Sequence, residues 1–160
     1  DKKIIAWDWL PQDWMADERF FQYDHWFENE AMQEGHVKEE YDRVIEEFDK
    51  LLVKHGYERK GHYYKVNEEN NDTIIFFCHF GLECVLLIHL LNISPMVLWH
   101  GCVAAPSSVT TLTTEERRQG IAAFRMSSFG DISHLYANNE PPAFAARFCE
   151  AYGNKDQRHD

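Results

Sequence analysis

The sequence predicts an α/β fold, a three-layer α/β/α sandwich in one domain over residues 1–160. The predicted elements follow one another in the order helix, strand, helix, strand, strand. The first of these strands is an uninterrupted apolar run, which is typical of a strand that helices cover on both faces. The chain has 160 residues, of which 44% are hydrophobic and 14% aromatic, and this is enough to bury a core.

An aromatic-rich segment, residues 7–34, lies near the start of the chain and lacks clear periodicity. It holds the following rings among acidic residues: Trp7, Trp9, Trp14, Phe20, Phe21, Tyr23, Trp26 and Phe27. Pro11 interrupts any early helix, and Asp17 is expected to cap a short helix that runs to Phe27. Two interpretations stay open. The segment is either an irregular excursion whose rings pack on the main core, or a lid that forms a wall over a site.

A long amphipathic helix is predicted over residues 37–55. Its apolar side chains recur at helical spacing opposite a charged face, and Gly56 stands where glycine commonly ends a helix. A polar loop is expected over residues 59–72. The apolar run at residues 73–78 is the predicted buried strand, and a helix over residues 81–92 follows it.

The second half of the chain predicts shorter elements. A short helix begins at Ser94-Pro95, because proline suits the first helical position. Residues 107–114 and 121–129 alternate as strands and flank EERRQG, which predicts a hairpin. A last short helix is expected over residues 144–152.

The junction between the 73–78 strand and the next helix predicts an anion site. At the carboxyl end of such a strand, the following helix presents unpaired backbone N–H groups and the positive end of its dipole. Phe80 and Gly81 are placed to offer their amides to an anion. His79 is placed to direct its ring at the same anion, where a protonated imidazole adds charge and a donor. Spacing alone leaves a purely structural histidine as the alternative.

The charge and composition argue against several classes of protein. A net charge of −11, from 16 Lys and Arg against 27 Asp and Glu, disfavours nucleic acid and anionic membranes as partners. No signal peptide or membrane span is apparent, and four cysteines without a C-x-x-C pair favour reduced thiols in the cytoplasm. The nine histidines show no metal-ligand spacing, so neither a metal nor another cofactor is expected. His89, on an apolar helical stripe, is expected to be a hydrogen-bonded core residue.

Residues 73–136 read TIIFFCHFGLECVLLIHLLNISPMVLWHGCVAAPSSVTTLTTEERRQGIAAFRMSSFGDISHLY. This run resembles the C-terminal part of the histidine phosphatase superfamily, the phosphoglycerate mutase-like proteins. In that family a strand ends in a second histidine and glycine-rich sequence, to which Cys78-His79-Phe80-Gly81 corresponds. An apolar helix, a short proline-containing helix, a hairpin and an Asp-x-x-His-Leu ending follow, the last at residues 131–135. The order of elements extends the resemblance to residues 35–136.

The resemblance implies hydrolysis or transfer of the phosphate ester of a small phosphorylated substrate through a phosphohistidine. In the family, a nucleophilic histidine takes the phosphoryl group and a carboxylic acid protonates the leaving oxygen. His79 then corresponds to the second histidine, which neutralises the oxygens of the transferring group, and the Phe80 and Gly81 amides complete the phosphate site. Asp8 and Glu83 are the candidate acids.

The family's N-terminal features do not occur in these residues. The sequence has no Arg-His-Gly, which carries the nucleophile, and no Ser-Pro-x-x-Arg-Ala, and Ala6 stands where the usual glutamate would align. We therefore expect a domain that is incomplete at its N-terminus, with a 73–78 strand that lacks its neighbour and a chain that is inactive alone. A longer enzyme, a complementing N-terminal segment or a homo-oligomer would cover that strand. A non-catalytic module that binds phosphate or a protein partner is the alternative.

Overall fold

The computed structural model describes residues 6–146 and 149–157, which fall into two compact units. The first unit contains the described residues up to Cys102 together with Thr114–Arg125. The second contains Val103–Thr113 and the described residues from Met126 onward. All of the fully buried apolar side chains described belong to the first unit, so the hydrophobic core lies there.

The aromatic segment consists of short helical turns. These are α1 (Pro11–Trp14), two 3-10 turns (Glu18–Phe21 and Trp26–Glu28) and α2 (Glu30–Glu34). Asp17 caps the first 3-10 turn, since its carboxylate accepts the Arg19 N–H at 3.0 Å. The predicted single helix from this cap to Phe27 is wrong. Phe20 and Trp26 are both buried, and a spacing of six residues would place them on different sides of one helix.

The long amphipathic helix is confirmed as α3 (Val37–Lys54). Tyr41, Phe48 and Leu52 lie on its buried face, and the charged residues point away from the core. Gly56 follows the helix with a φ of 87°, in the left-handed region that glycine adopts most easily. The chain turns there into the first strand.

Replacing Gly56 by alanine is expected to lower the free energy of unfolding by about 1–3 kcal/mol. An alanine Cβ would stand 2.4 Å from the backbone oxygen of Glu68, in addition to the cost of a positive φ. Gly61→Ala is the matched control, because its φ of 61° is also positive but no atom lies within 4 Å of the added Cβ. Chemical denaturation of both variants measures the difference. Equal losses in the two variants would contradict the predicted contact.

The predicted polar loop after α3 is partly wrong, because it contains a hairpin. The strands β1 (Tyr57–Lys60) and β2 (Tyr63–Val66) pair antiparallel, with Tyr57 opposite Val66 and Lys60 opposite Tyr63. Tyr64 is 1% exposed and packs edge-on against Phe124 at 5.1 Å. Three consecutive charged residues, 58–60, follow Tyr57 and hide the strand pattern in the sequence. Residues 69–79 then have no regular secondary structure.

The prediction of a buried strand at residues 73–78 is wrong. The segment has no strand partner among the described residues, and Phe77 is 98% exposed. Ile75 is 71% exposed, whereas Ile74 and Phe76 are less exposed, at 37% and 46%. The composition of the segment is that of a strand, but a strand exists only where a neighbour supplies the ladder of hydrogen bonds.

Two helices predicted after this segment are confirmed. They are α4 (Phe80–Leu91) and α5 (Pro95–Gly101). Ser94 caps α5 by accepting the Met96 N–H at 3.2 Å, and its hydroxyl donates to the Phe20 carbonyl. The side chains of α4 are buried over most of its last two turns. α4 packs against both α3 and α5.

The rings of the aromatic segment add to this core. Trp26 is 1% exposed, and its ring meets those of Tyr41 and Trp99 edge-on, with centroids 5.5 and 6.1 Å away. Trp9 packs edge-on against Phe20 at 5.1 Å. These rings of the segment therefore pack with rings of the core.

The predicted C-terminal hairpin is confirmed as β3 (Val109–Arg118) and β4 (Ile121–Asp131). The connection is shorter than EERRQG, because β3 continues to Arg118 and the turn has two residues. In the second unit, the Thr110 hydroxyl accepts the Gly130 N–H at 3.0 Å. A helix that was not predicted, α6 (Ser133–Ala137), follows.

The predicted last helix is wrong apart from one 3-10 turn at Phe144–Ala146. Residues 147 and 148 lie outside the described residues, and residues 149–152 are not helical. Pro141 and Pro142 precede this region, and Gly153 follows it. Neither proline nor glycine favours a longer helix.

The four strands form one antiparallel sheet in the order β1-β2-β4-β3, with Tyr64 opposite Ala122 where β2 meets β4. Helices and sheet together confirm the mixed α/β class. Every helix within the described residues is too short or too polar to cross a membrane.

Candidate functional site

His79 lies at the start of α4, as the sequence predicts. Its backbone is extended, with φ −98° and ψ 157°, and its carbonyl accepts the Glu83 N–H at 2.9 Å, which closes the first turn of the helix. The imidazole makes no capping bond to the helix and is exposed. The ring is therefore free to bind an external group.

The first amides of α4 are also open. Phe80 and Gly81 occupy the first positions of a twelve-residue helix, where backbone N–H groups have no partner within the helix. No hydrogen bond to these two amides is found within the described residues. A Cβ built on Gly81 would meet no atom within 4 Å, so the space beside the Gly81 Cα is open.

The side chains of the segment that leads into His79 differ in how far they are exposed. Phe76 packs edge-on against Phe48 of α3 at 5.7 Å, while Phe77 points away from the protein. In an extended chain, side chains two residues apart share a face. Ile75, Phe77 and His79 are all exposed, so two apolar side chains share the surface of this segment with the candidate histidine.

Negative charge at the site comes from Glu83 in the first turn of α4. Partial burial, and secondly the Glu83 carboxylate, raise the pKa of the Cys78 thiol. Burial, and secondly the Glu83 carboxylate, raise the pKa of the Cys84 thiol far above its usual value. Both thiols stay protonated at neutral pH, which makes them poor nucleophiles. The carboxylate of Glu83 is near the helix start, where it stabilises the dipole.

The other candidate acid, Asp8, lies in a different place. It acts electrostatically on His100 of α5, and no contact between Asp8 and His79 is found among the described residues. The structure thus brings together His79, Phe80, Gly81 and Glu83 in one helical turn, and it places Asp8 beside α5.

The opposite end of α4 carries polar residues that the sequence did not single out. Arg59 of β1 donates to the His89 carbonyl at 2.8 Å and to the Asn92 side chain at 2.5 Å, near the negative end of the helix dipole. His89 itself is 4% exposed, and its Nε2 lies 2.9 Å from an Asp49 oxygen. The prediction of a hydrogen-bonded core histidine is confirmed.

No group of three or more His, Cys, Asp or Glu side chains within residues 6–146 and 149–157 is arranged to hold a metal ion. Comparisons of this chain with models of protein families, with curated proteins and with solved structures find no match. The geometry of the first turn of α4 is therefore the basis for a functional proposal.

Proposed function

We propose that the first turn of α4 binds the phosphate group of a small phosphorylated substrate. The observation that carries this proposal is the coincidence of two open amides, at Phe80 and Gly81, with an exposed imidazole at His79. Backbone N–H groups at a helix N-terminus favour an anion, and a histidine beside them adds a donor and, when protonated, a positive charge.

The resemblance of residues 73–136 to the phosphoglycerate mutase-like histidine phosphatases supports a more specific proposal. In the complete protein, a nucleophilic histidine from an Arg-His-Gly segment forms a bond to phosphorus while the ester oxygen leaves with a proton from a carboxylic acid. Water then cleaves the phosphohistidine and releases phosphate. His79 and the two amides stabilise the phosphoryl oxygens in both steps. Glu83 is the candidate acid nearer to His79, because it lies in the first turn of α4. Asp8 lies beside α5 and could act at His79 only if its part of the chain were placed differently.

The exposed 73–78 segment supports a complementing strand. A strand paired along this segment would satisfy its backbone groups, cover Ile75 and Phe77, and place its own residues beside His79. We propose that a segment with the Arg-His-Gly sequence fills this place and completes a three-layer sandwich of the phosphoglycerate mutase-like type. The free cysteines described agree with a cytoplasmic location.

A phosphatase assay with p-nitrophenyl phosphate tests the enzymatic proposal. The 160-residue chain is expected to be inactive, and a form extended on its N-terminal side by the Arg-His-Gly segment is expected to hydrolyse the ester. Activity in the extended form alone supports a split site. Inactivity of a folded extended form would overturn the enzymatic proposal and leave only phosphate binding.

A protein-interaction module is the second candidate, and the exposure of Ile75 and Phe77 favours it. Without a complementing strand, these side chains and the free backbone edge would drive self-association. We expect sedimentation of the wild-type chain to show association that rises with concentration, and the double variant Ile75→Lys/Phe77→Lys to remain monomeric. Val53→Lys, at an exposed valine on α3, is the control and should leave the association unchanged. A wild-type chain that sediments as a monomer at all concentrations would refute this expectation.

A further inference from the structure

His100 of α5 connects the start of the aromatic segment to the core. The Trp9 N–H donates to His100 Nε2 at 3.1 Å, and His100 Nδ1 lies 2.9 Å from the Met96 carbonyl oxygen. The ring of Trp14 stacks on the imidazole, with centroids 5.2 Å apart and planes at 24°. Both ring nitrogens and one ring face are therefore occupied.

These contacts define one protonation state. A carbonyl oxygen only accepts, so Nδ1 must carry the hydrogen that is donated to Met96. A backbone N–H only donates, so Nε2 must present a lone pair to Trp9. The ring is thus neutral, and a second proton on Nε2 would set two donors against each other at 3.1 Å.

We propose that His100 is a proton-sensitive latch, which holds residues 9–14 on α5 when neutral and releases them when protonated. Protonation removes the Trp9 hydrogen bond and leaves the new Nε2–H without an acceptor until the backbone of Trp9 moves aside. The Asp8 carboxylate is adjacent along the chain and would accept that hydrogen once the backbone moved. Release of the segment and pairing with Asp8 would then occur together.

Burial and the groups around His100 determine the direction in which its pKa is shifted. Burial lowers the pKa of His100, while the Met96 hydrogen bond and the Asp8 carboxylate partly offset this effect. Asp8 is the one charged side chain among the described residues that acts on His100. The other charged or titratable side chains on the elements packed against α5 are Asp13, Glu18, Arg19, Glu28, Glu83, Cys84 and His89.

The sign of the pH dependence follows from these shifts. In the unfolded chain the histidine has a pKa of about 6.5, and in the folded protein it is lower. The closed latch therefore contributes its full stability above about pH 6.5. That stability is lost as the pH falls from there toward the folded pKa, because His100 binds a proton more readily when the segment is detached than when it is attached.

Hydrogen exchange of the Trp9 amide in the full 160-residue chain tests the latch. After correction for intrinsic exchange, we expect wild-type protection to fall about tenfold or more between about pH 7.5 and about pH 5. His100→Gln keeps an acceptor for Trp9 and a donor for Met96 but does not titrate. The protection of the Trp9 amide in this variant should therefore not change between these two pH values. His25→Gln, at an exposed histidine paired with Glu28, should behave as wild type. Constant wild-type protection, or the same loss in His100→Gln, would overturn the proposal.

A titration of the wild-type protein by NMR decides the question even if His100→Gln fails to fold. The ring signals of His100 and the amide signal of Trp9 should move with one shared midpoint below about pH 6.5. Asp8→Asn should move that midpoint to lower pH, because it removes the charge that favours the imidazolium. Separate midpoints for the two residues, or a shared midpoint at or above 6.5, would contradict a latch. Neither result depends on phosphate binding at His79.

Discussion

Replacing Trp26 by alanine is expected to lower the free energy of unfolding by about 3–5 kcal/mol. Trp26 is 1% exposed and lies against three rings: Phe27 of its own 3-10 turn, Tyr41 of α3 and Trp99 of α5. Its removal loses the transfer free energy of the largest side chain and leaves a cavity that these rings cannot fill. Edge-on ring contacts add about 0.5–1.5 kcal/mol per pair.

Trp7→Ala is the matched control for this variant. Trp7 also contacts Trp99, at 6.3 Å, but it is 52% exposed, so we expect a loss of about 1 kcal/mol or less. Urea denaturation followed by far-UV circular dichroism measures both values without depending on tryptophan fluorescence. If the two variants lost equal stability, the aromatic segment would not be part of the core.

Replacing His79 by alanine is expected to reduce kcat of the extended, active form by about 10²–10³. The imidazole would stabilise charge that develops on the phosphoryl oxygens, so its loss should affect kcat more than KM. Stability should change by less than about 0.5 kcal/mol, because the His79 side chain is exposed and makes no cap.

Two variants separate this role from a structural one. His79→Gln keeps a donor but loses the charge, and we expect it to recover part of the activity. His25→Ala changes an exposed histidine in the aromatic segment and should leave kcat unchanged. Full activity of a correctly folded His79→Ala enzyme would show that His79 is not part of the active site.

Local sequence signals were sufficient for α3, α4 and α5. The spacing of apolar residues in α3, the glycine after it and the Ser94-Pro95 start of α5 each act within a few residues. The β1–β2 hairpin is not apparent in the sequence because three consecutive charged residues, Glu58, Arg59 and Lys60, follow Tyr57 and resemble a polar loop. Gly61, which has a φ of 61° between the two strands, is the signal that could have revealed it.

The errors arise where structure depends on distant residues. The 73–78 segment has strand composition, yet a strand requires a neighbour, and no described residue supplies one. The position of His79 at a helix start was predictable because the strand-like run and the helix are adjacent in sequence. The bond from Trp9 to His100 joins residues 91 positions apart, and no local pattern indicates it.

Titration of the ¹⁵N-labelled 160-residue chain with inorganic phosphate tests the central claim most directly. The amide signals of Phe80 and Gly81 should shift most, with saturation at phosphate concentrations on the order of 10 mM, as expected for a few hydrogen bonds to one small anion. His79→Ala should weaken the affinity about tenfold, the loss of roughly one charge-assisted hydrogen bond. If phosphate at these concentrations left both amides unmoved, or moved them equally in His79→Ala, the first turn of α4 would not be a phosphate site.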